Sequence, residues 1–173
     1  KNFHKALILR PSIVYSIDDN FTTLFMTLLN RLPFFPLYYN GNTKFSPIHS
    51  LDMAEIIATI IENKIHSQTI ECVGPEEMTF KEIVNNLLIS INKKRLLISI
   101  PLFLANLSAT FFEFFPKPLL TKDQLKLLKY DNVASGKLKT NFDINIPSKS
   151  IFKNEIDKYS YMWRERGEFS RPN

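Results

Sequence analysis

The first apolar run of the chain predicts a buried strand. Residues 6–15 read Ala-Leu-Ile-Leu-Arg-Pro-Ser-Ile-Val-Tyr, with few polar positions. Such a run is typical of a strand that is covered on both faces, and strands of this kind belong to parallel sheets. Two later apolar runs, 69–74 and 96–100, predict further short strands. Because five residues precede the first run, we expect its other neighbours to come from later in the chain or from a longer sequence.

Helical spacing of apolar residues alternates with these runs. Ser50 precedes one such segment, and Thr79 precedes another with Glu82 three residues later, which is the spacing of a capping box. The intervening segment 131–147 is polar and rich in turn-forming residues. The spacing therefore predicts helices over 21–31, 51–63, 80–91 and 148–166.

The segment 96–115 has the length and apolar character of a membrane span. Pro101 interrupts it, and Asn106, Thr110 and Glu113 fall on one narrow strip of a helical projection. This pattern favours a helix buried within protein, or one lying at a membrane interface, over a transmembrane helix. We therefore expect neither a transmembrane span nor a signal peptide in this chain.

The composition indicates one folded domain over residues 1–173. The chain is 45% hydrophobic and 23% charged, with a net charge of +5, which is typical of a globular domain. The longest run of like charge is Lys93-Lys94-Arg95. No interleaving of aromatic and basic residues accompanies it, so we expect no nucleic-acid partner. The predicted elements give an α/β fold with few short strands and several helices.

The residues that carry most enzyme chemistry are not arranged for it here. The chain has four glycines, and none forms a glycine-rich phosphate loop. No tyrosine is followed four positions later by lysine. Cys72 lies within an apolar run and is expected to be a core thiol, and His4, His49 and His66 lack the spacing of metal ligands. We predict no catalytic residue and no metal site, so the chain is not a self-sufficient enzyme.

Several segments together resemble the later half of extended or atypical short-chain dehydrogenase/reductases. The first is Leu9-Arg10-Pro11-Ser12-Ile13-Val14-Tyr15, followed by an Asp-Asn-Phe loop, and the second runs from residue 43 to 49 and into Asp52-Met53-Ala54. Residues 120–128 and Asp131-Asn132-Val133 are similar to the branch that contains the dehydrogenase-like accessory subunit of respiratory complex I and its bacterial relatives.

The resemblance implies that this chain is the C-terminal part of a Rossmann-like fold whose N-terminal, nucleotide-binding half is missing. In the full-length protein it implies NAD(P), with the corner formed by Pro11, Ser12, Ile13 and Val14 closing over the nicotinamide end. We do not expect this fragment to hold the cofactor alone. The same four residues also fit a simpler interpretation, in which they end a buried strand.

The resemblance further implies a structural or cofactor-holding subunit of NADH:ubiquinone oxidoreductase. Its partners would be complex I subunits or a membrane surface, at the cytoplasmic face of a bacterial inner membrane or the mitochondrial matrix side. The alternative is an NAD(P)-dependent sugar-nucleotide epimerase, dehydratase or reductase. Ile13 stands where sugar-nucleotide epimerases often have Asn, and Ser16 where Gly is usual, and both departures weaken the sugar-nucleotide alternative.

Overall fold

Short, mostly parallel strands form the framework of the chain. In a computed structural model, which describes residues 6–100 and 128–170, a three-stranded parallel sheet has the order β1-β6-β9. The pairs β2/β5 and β3/β8 are parallel, and β4/β7 is antiparallel. The strands are β1 (Ile8–Pro11), β2 (Val14–Tyr15), β3 (Phe34–Tyr38), β4 (Lys44–Phe45), β5 (Ile48–His49), β6 (Thr69–Cys72), β7 (Met78–Thr79), β8 (Leu96–Ile100) and β9 (Lys139–Thr140).

The helices begin where polar side chains satisfy free backbone N–H groups. Asp19 accepts hydrogen bonds from the amides of Phe21 and Thr23 at the start of the first helix. At the third, the Thr79 hydroxyl and the Glu82 carboxylate form the predicted capping box. The helices are α1 (Thr22–Arg31), α2 (Ser50–Glu62), α3 (Phe80–Ser90) and α4 (Phe152–Asp157), with short 3-10 turns at Tyr39–Gly41 and Ser160–Trp163.

The buried apolar residues form two clusters. The larger lies among α1, α3, β3 and α4, and its aromatic rings meet edge-on, as between Phe25 and Phe80, whose ring centroids are 5.3 Å apart. The smaller joins α2 to the three-stranded sheet, with Ile56 and Ile60 packed in the same cluster as Ile70 and Cys72. Offset and edge-to-face aromatic contacts favour one packing arrangement over others. The large cluster therefore fixes how α1 and α3 sit against each other.

Most predicted elements are confirmed, but the first and last are wrong in detail. The run 6–15 is broken at Ser12 and Ile13 into β1 and β2, and β1 is not covered on both faces, since Ile8 is 56% exposed. The helix predicted over 148–166 is shortened to α4 and a 3-10 turn. The described residues contain nine strands where three were predicted, since pairs of two-residue strands leave no periodic signal.

The long apolar helix predicted after Pro101 lies outside the described residues, as does most of the segment 121–128. Within 6–100 and 128–170, none of the helices is both long enough and apolar enough to cross a membrane.

A buried amide ties the end of β6 to the C-terminal segment. The Asn141 side chain is fully buried; its Oδ1 accepts from the Val73 amide at 2.8 Å, and its Nδ2 donates to the Ile146 carbonyl at 3.3 Å. The same Nδ2 donates to Ser148 Oγ at 3.0 Å, and Ser148 Oγ donates to the Val73 carbonyl at 2.8 Å. Both backbone polar groups of Val73 are thus satisfied by side chains from one segment.

Replacing Asn141 with Ala is expected to destabilise the chain strongly. The change leaves the Val73 amide and the Ile146 carbonyl without these partners in a buried site, which costs about 3 kcal/mol in the free energy of unfolding. Urea denaturation measures this cost. The matched control is Asn154→Ala on the exposed side of α4, where a change within about 0.5 kcal/mol is expected. Equal effects of the two variants would contradict the role assigned to Asn141.

Candidate functional site

The four residues predicted to contact a cofactor lie together at the carboxyl end of β1. Pro11 is the last residue of β1 and pairs with Cys72 at the end of β6, and Ser12 and Ile13 lead from there into β2. In open parallel sheets, ligands bind at the carboxyl ends of the strands. The structure therefore puts the predicted residues at the edge of the sheet where a ligand is expected.

The Ser12 side chain is used within the protein. It is buried, and its hydroxyl donates to the Asn132 carbonyl at 2.7 Å while accepting from the Ser46 amide at 3.2 Å. Its own backbone amide donates to the Cys72 carbonyl at 2.9 Å. Because the hydroxyl both donates and accepts, it contributes to the shape of the corner and not to an open hydrogen-bonding surface.

The outer surface of this corner is apolar. Pro11 is exposed, Val14 is 38% exposed, and Ile13 is half-buried against the larger core cluster. The Ile13 carbonyl accepts from the Ile48 amide at 2.9 Å, which joins the corner to β5. Pro11 and Val14 therefore offer van der Waals contact to a flat ring, whereas the corner side chains offer no charge that would bind a phosphate.

Asn132 connects the corner to the later part of the chain. Its amide donates to the Lys44 carbonyl at 2.7 Å, and its carbonyl accepts from the Ser46 amide at 3.1 Å as well as from Ser12. The Ser46 carbonyl in turn accepts from the Gly74 amide at 3.1 Å. A Cβ at Gly74 would lie 1.7 Å from the Pro47 carbonyl oxygen. This close approach requires glycine after β6, and it packs all these segments against one another.

The fold thus brings the three segments that carry the resemblance into direct contact. Ser12 belongs to the first segment of the resemblance, Ser46 to the second and Asn132 to the last, and a hydrogen bond joins Ser12 to each of the other two. Their contact was not predicted, because Ser12 and Asn132 are separated by 120 positions. What links Ser12, Ser46 and Asn132 in the sequence is that each lies in a segment of the same family resemblance.

A buried polar group that the sequence reasoning missed lies beneath β2. The Tyr15 side chain is fully buried, its ring meets that of His49 edge-on at 5.2 Å, and its hydroxyl has no hydrogen-bond partner among the described residues. Burial, with a smaller contribution from the nearby Glu155 carboxylate, raises the pKa of Tyr15 well above its ordinary value. The phenol is therefore held neutral.

The neighbouring acidic and imidazole groups stabilise backbone structure. His49 Nδ1 accepts from the Leu51 amide at 3.3 Å and so caps the N-terminus of α2. Asp52 Oδ2 accepts from the amides of Lys149 and Ser150, at 3.1 and 2.9 Å. These groups fasten the C-terminal segment to the N-terminus of α2.

Cys72 lies at the end of β6 and is fully buried, as predicted for a core thiol. Burial raises its pKa to about 11, so the thiol stays protonated and unreactive. Among the described residues, no group of three or more His, Cys, Asp or Glu side chains is placed to hold a metal ion.

Sequence comparison finds relatives of one kind, which are subunits of mitochondrial NADH dehydrogenase. No family model matches the sequence. The chain is 27% identical over 162 residues to NADH dehydrogenase (ubiquinone) 1 alpha subcomplex subunit 9 of Dictyostelium discoideum, a mitochondrial protein, covering 91% of this chain and 45% of the relative. The Arabidopsis thaliana protein of the same name is 25% identical over 142 residues, covering 76% and 35%. The chain thus spans less than half the length of these relatives.

Solved structures share the architecture at low sequence identity. A dTDP-glucose 4,6-dehydratase from Bacillus anthracis, in complex with NAD, matches with a TM-score of 0.61 at 13% identity, over 95% of this chain and 46% of the enzyme. A UDP-glucose 4-epimerase from Thermus thermophilus, also in complex with NAD, gives 0.60 at 17% identity, over 94% and 47%. The described residues therefore share the fold of these two enzymes, over somewhat less than half of each. Within this Rossmann-like fold, the assignment of Pro11, Ser12, Ile13 and Val14 to a cofactor site stays a prediction.

Replacing Ser12 with Ala is expected to loosen the corner without unfolding the chain. The Ser46 amide keeps the Asn132 carbonyl as a partner, so the loss is about 1 kcal/mol in the free energy of unfolding. Amide hydrogen exchange at Ser46 is expected to accelerate. The control is Ser99→Ala on the exposed part of β8, and the same acceleration in that variant would contradict the assignment.

The Cys72 thiol is expected to resist modification by thiol reagents in the folded chain. With the pKa raised to about 11, only about one thiol in a thousand is ionised at pH 8, and burial blocks access as well. Ellman's reagent at pH 8 should react at least about a hundredfold faster in 8 M urea than in buffer. Rapid labelling of the native chain would show that β6 is not packed as described.

Proposed function

We propose that the chain is the C-terminal portion, forming one domain, of an NAD(P)-binding, dehydrogenase-like subunit of NADH:ubiquinone oxidoreductase. The observation that carries this proposal is the similarity to NADH dehydrogenase subunits over 91% of the chain, with a third such protein, a 40 kDa subunit of Neurospora crassa, matched over 98% of it. All three are mitochondrial. The proposed location is the matrix side of the inner membrane, or the cytoplasmic face in a bacterium.

The proposed role is to hold the cofactor or to support the assembly, and not to catalyse turnover. Near the corner, Ser12 is hydrogen-bonded to Asn132 and Ser46, and Asp52 to the segment after residue 148. The Tyr15 hydroxyl has no partner among the described residues, but it is fully buried. A catalytic acid or base needs a free atom within reach of the substrate proton. Under this proposal, the glycine-rich phosphate loop and any catalytic pair come from the rest of the protein.

Two exposed apolar surfaces support a larger assembly. Among the described strands β1 pairs with β6 alone, so its other edge is unpaired. Ile8 on a face of β1 is 56% exposed, and on α2 Leu51 is 71% and Ile61 is 69% exposed. An uncovered strand edge and an uncovered apolar helix face both favour association. We propose that further strands of the parallel sheet pair with β1, and that the remainder of the subunit or a neighbouring subunit covers α2.

A second candidate function is that of an NAD(P)-dependent epimerase or dehydratase acting on a sugar nucleotide. The observation in its favour is the fold shared with the dehydratase and the epimerase described above. The sequence similarity favours the respiratory subunit, because it covers nearly the whole chain at higher identity. The two functions differ in a directly measurable property, which is turnover of a free sugar nucleotide.

The test uses the full-length protein, tagged in its own cells and extracted from membranes with a mild detergent. The proposal expects the protein to migrate on a native gel with a band that stains for NADH dehydrogenase activity. It also expects the released ligand to be a nicotinamide dinucleotide, and the intact mass to be about twice the 20.2 kDa of this chain, since the chain covers 45% of a relative. Migration as a small species that interconverts UDP-glucose and UDP-galactose would support the second candidate instead.

Substitution at the corner tests the predicted cofactor contact separately. In the full-length protein, Val14→Arg places a long charged side chain on the apolar surface and is expected to reduce the copurified dinucleotide at least fivefold. The control is Ile89→Arg, because Ile89 is 62% exposed on α3. Full retention of the dinucleotide in the Val14 variant would overturn the cofactor assignment and leave the proposed membership of the complex intact.

A further inference from the structure

A second, separate pocket lies beyond the C-terminus of α1. Its volume is about 570 Å³, and it is bounded by the turn after α1, the start of β8 and the last described loop, 164–170. The side chains that line it include Arg31, Lys93, Arg95 and Arg166, with Glu165 as the acidic member. Four basic groups against one acidic group leave three positive charges in excess. This pocket was not predicted, because its residues come from three distant parts of the sequence.

The positive charges are not neutralised by the protein. Among the described residues, none of Arg31, Lys93 and Arg166 forms an ion pair or a side-chain hydrogen bond. Glu165, although it lines the same pocket, pairs with none of them. Like charges held around one concave surface repel one another unless an anion lies between them. The pocket is therefore complementary in charge to an anion.

Arg95 is fixed in place by the end of α1. Its Nε donates to the Leu29 carbonyl at 2.8 Å, its Nη2 donates to the Asn30 carbonyl at 3.1 Å, and its Nη1 donates to the Lys94 carbonyl at 3.1 Å. A guanidinium has five N–H groups, so two remain after these three bonds, one on each Nη atom. These two form the terminal fork that binds phosphate oxygens in pairs.

The loop that supplies Arg166 is held in one conformation. Arg166 has φ +67°, which an L residue adopts only when its surroundings enforce it. The Asn30 side chain donates to the Phe169 carbonyl at 2.9 Å, and the Phe169 amide donates to the Met162 carbonyl at 2.8 Å. A Cβ at Gly167 would lie 2.4 Å from the Met162 carbonyl oxygen. The loop thus presents Arg166 from a strained, preorganised turn.

We propose that this pocket binds a phosphate group, carried either by a soluble phosphate ester or by an anionic lipid head group. A dianionic phosphate accepts several hydrogen bonds at once, which matches a fixed guanidinium fork flanked by Arg31, Lys93 and Arg166. The pocket volume exceeds that of one phosphate, so the remainder of the ligand also fits. This inference goes beyond the proposed cofactor corner, because none of the corner residues 11–14 lines the pocket.

The test measures binding of the full-length protein to inorganic pyrophosphate by calorimetry, and to vesicles of phosphatidylcholine with phosphatidic acid by cosedimentation. The double variant Arg31→Gln/Lys93→Gln removes two pocket charges and leaves the structural Arg95 in place. The matched control, Lys64→Gln/Lys137→Gln, removes two exposed charges elsewhere. Circular dichroism and thermal unfolding confirm that both variants fold.

The proposal expects the pocket variant to bind at least tenfold more weakly in one of the two assays, while the control stays within about twofold. A selective loss in the pyrophosphate titration identifies a soluble phosphate ester, and a selective loss in the vesicle assay alone identifies a lipid head group. Equal losses in the pocket and control variants would show a general charge effect and overturn the proposal. Absence of binding in both assays would overturn it as well.

Discussion

The end of the three-stranded sheet depends on the side-chain amide of Asn141. Its Oδ1 accepts from the backbone N–H of Val73, the residue after β6, and the Asn141 side chain is fully buried. A backbone N–H left without a partner there would cost as much free energy as several ordinary contacts contribute. The segment that carries Asn141 also contains β9, which pairs with β6. The Glu71 carboxylate fastens the loop before it, by accepting from the Ser135 amide at 2.7 Å. The position of β6, and of the corner beside it, therefore depends on residues that follow it by about seventy positions.

This dependence explains why the corner has a defined shape while its polar side chain, Ser12, is already hydrogen-bonded within the protein. Parallel strands leave their carboxyl ends side by side, and the loops that follow them must satisfy their own polar groups. Here Ser12, Ser46 and Asn132 satisfy one another, and Asp52 satisfies the segment after Pro147. What remains for a ligand is the apolar surface of Pro11 and Val14. Such a surface can orient a ring, whereas the phosphates of a dinucleotide need donors from elsewhere in the protein.

The sequence predicted the elements that depend on neighbouring residues. It did not predict those that depend on contacts between distant residues. The capping box of Thr79 and Glu82 and the helical spacing predicted α3 within one residue, because both signals lie within a few positions. Strand β3 was missed because Pro36 lies in its middle, and its edge pairing with β8 is set by tertiary contact. The corner residues came from a resemblance, and the role of Asn132 could not be predicted because no local pattern marks a carbonyl that accepts from distant Ser12.

Helix α1 leads from the loop after β2 to the basic pocket. Its N-terminus is capped by Asp19, which also accepts from the Ser16 amide just after β2, and its C-terminal carbonyls accept from Arg95 in the basic pocket. A negative side chain at the start and a guanidinium at the end both complement the helix dipole. The packing of α1 against α3 is enforced by the aromatic cluster, so the helix is a rigid spacer. None of the corner residues 11–14 lines the pocket, so the effects on stability of substitutions at the two places are expected to add.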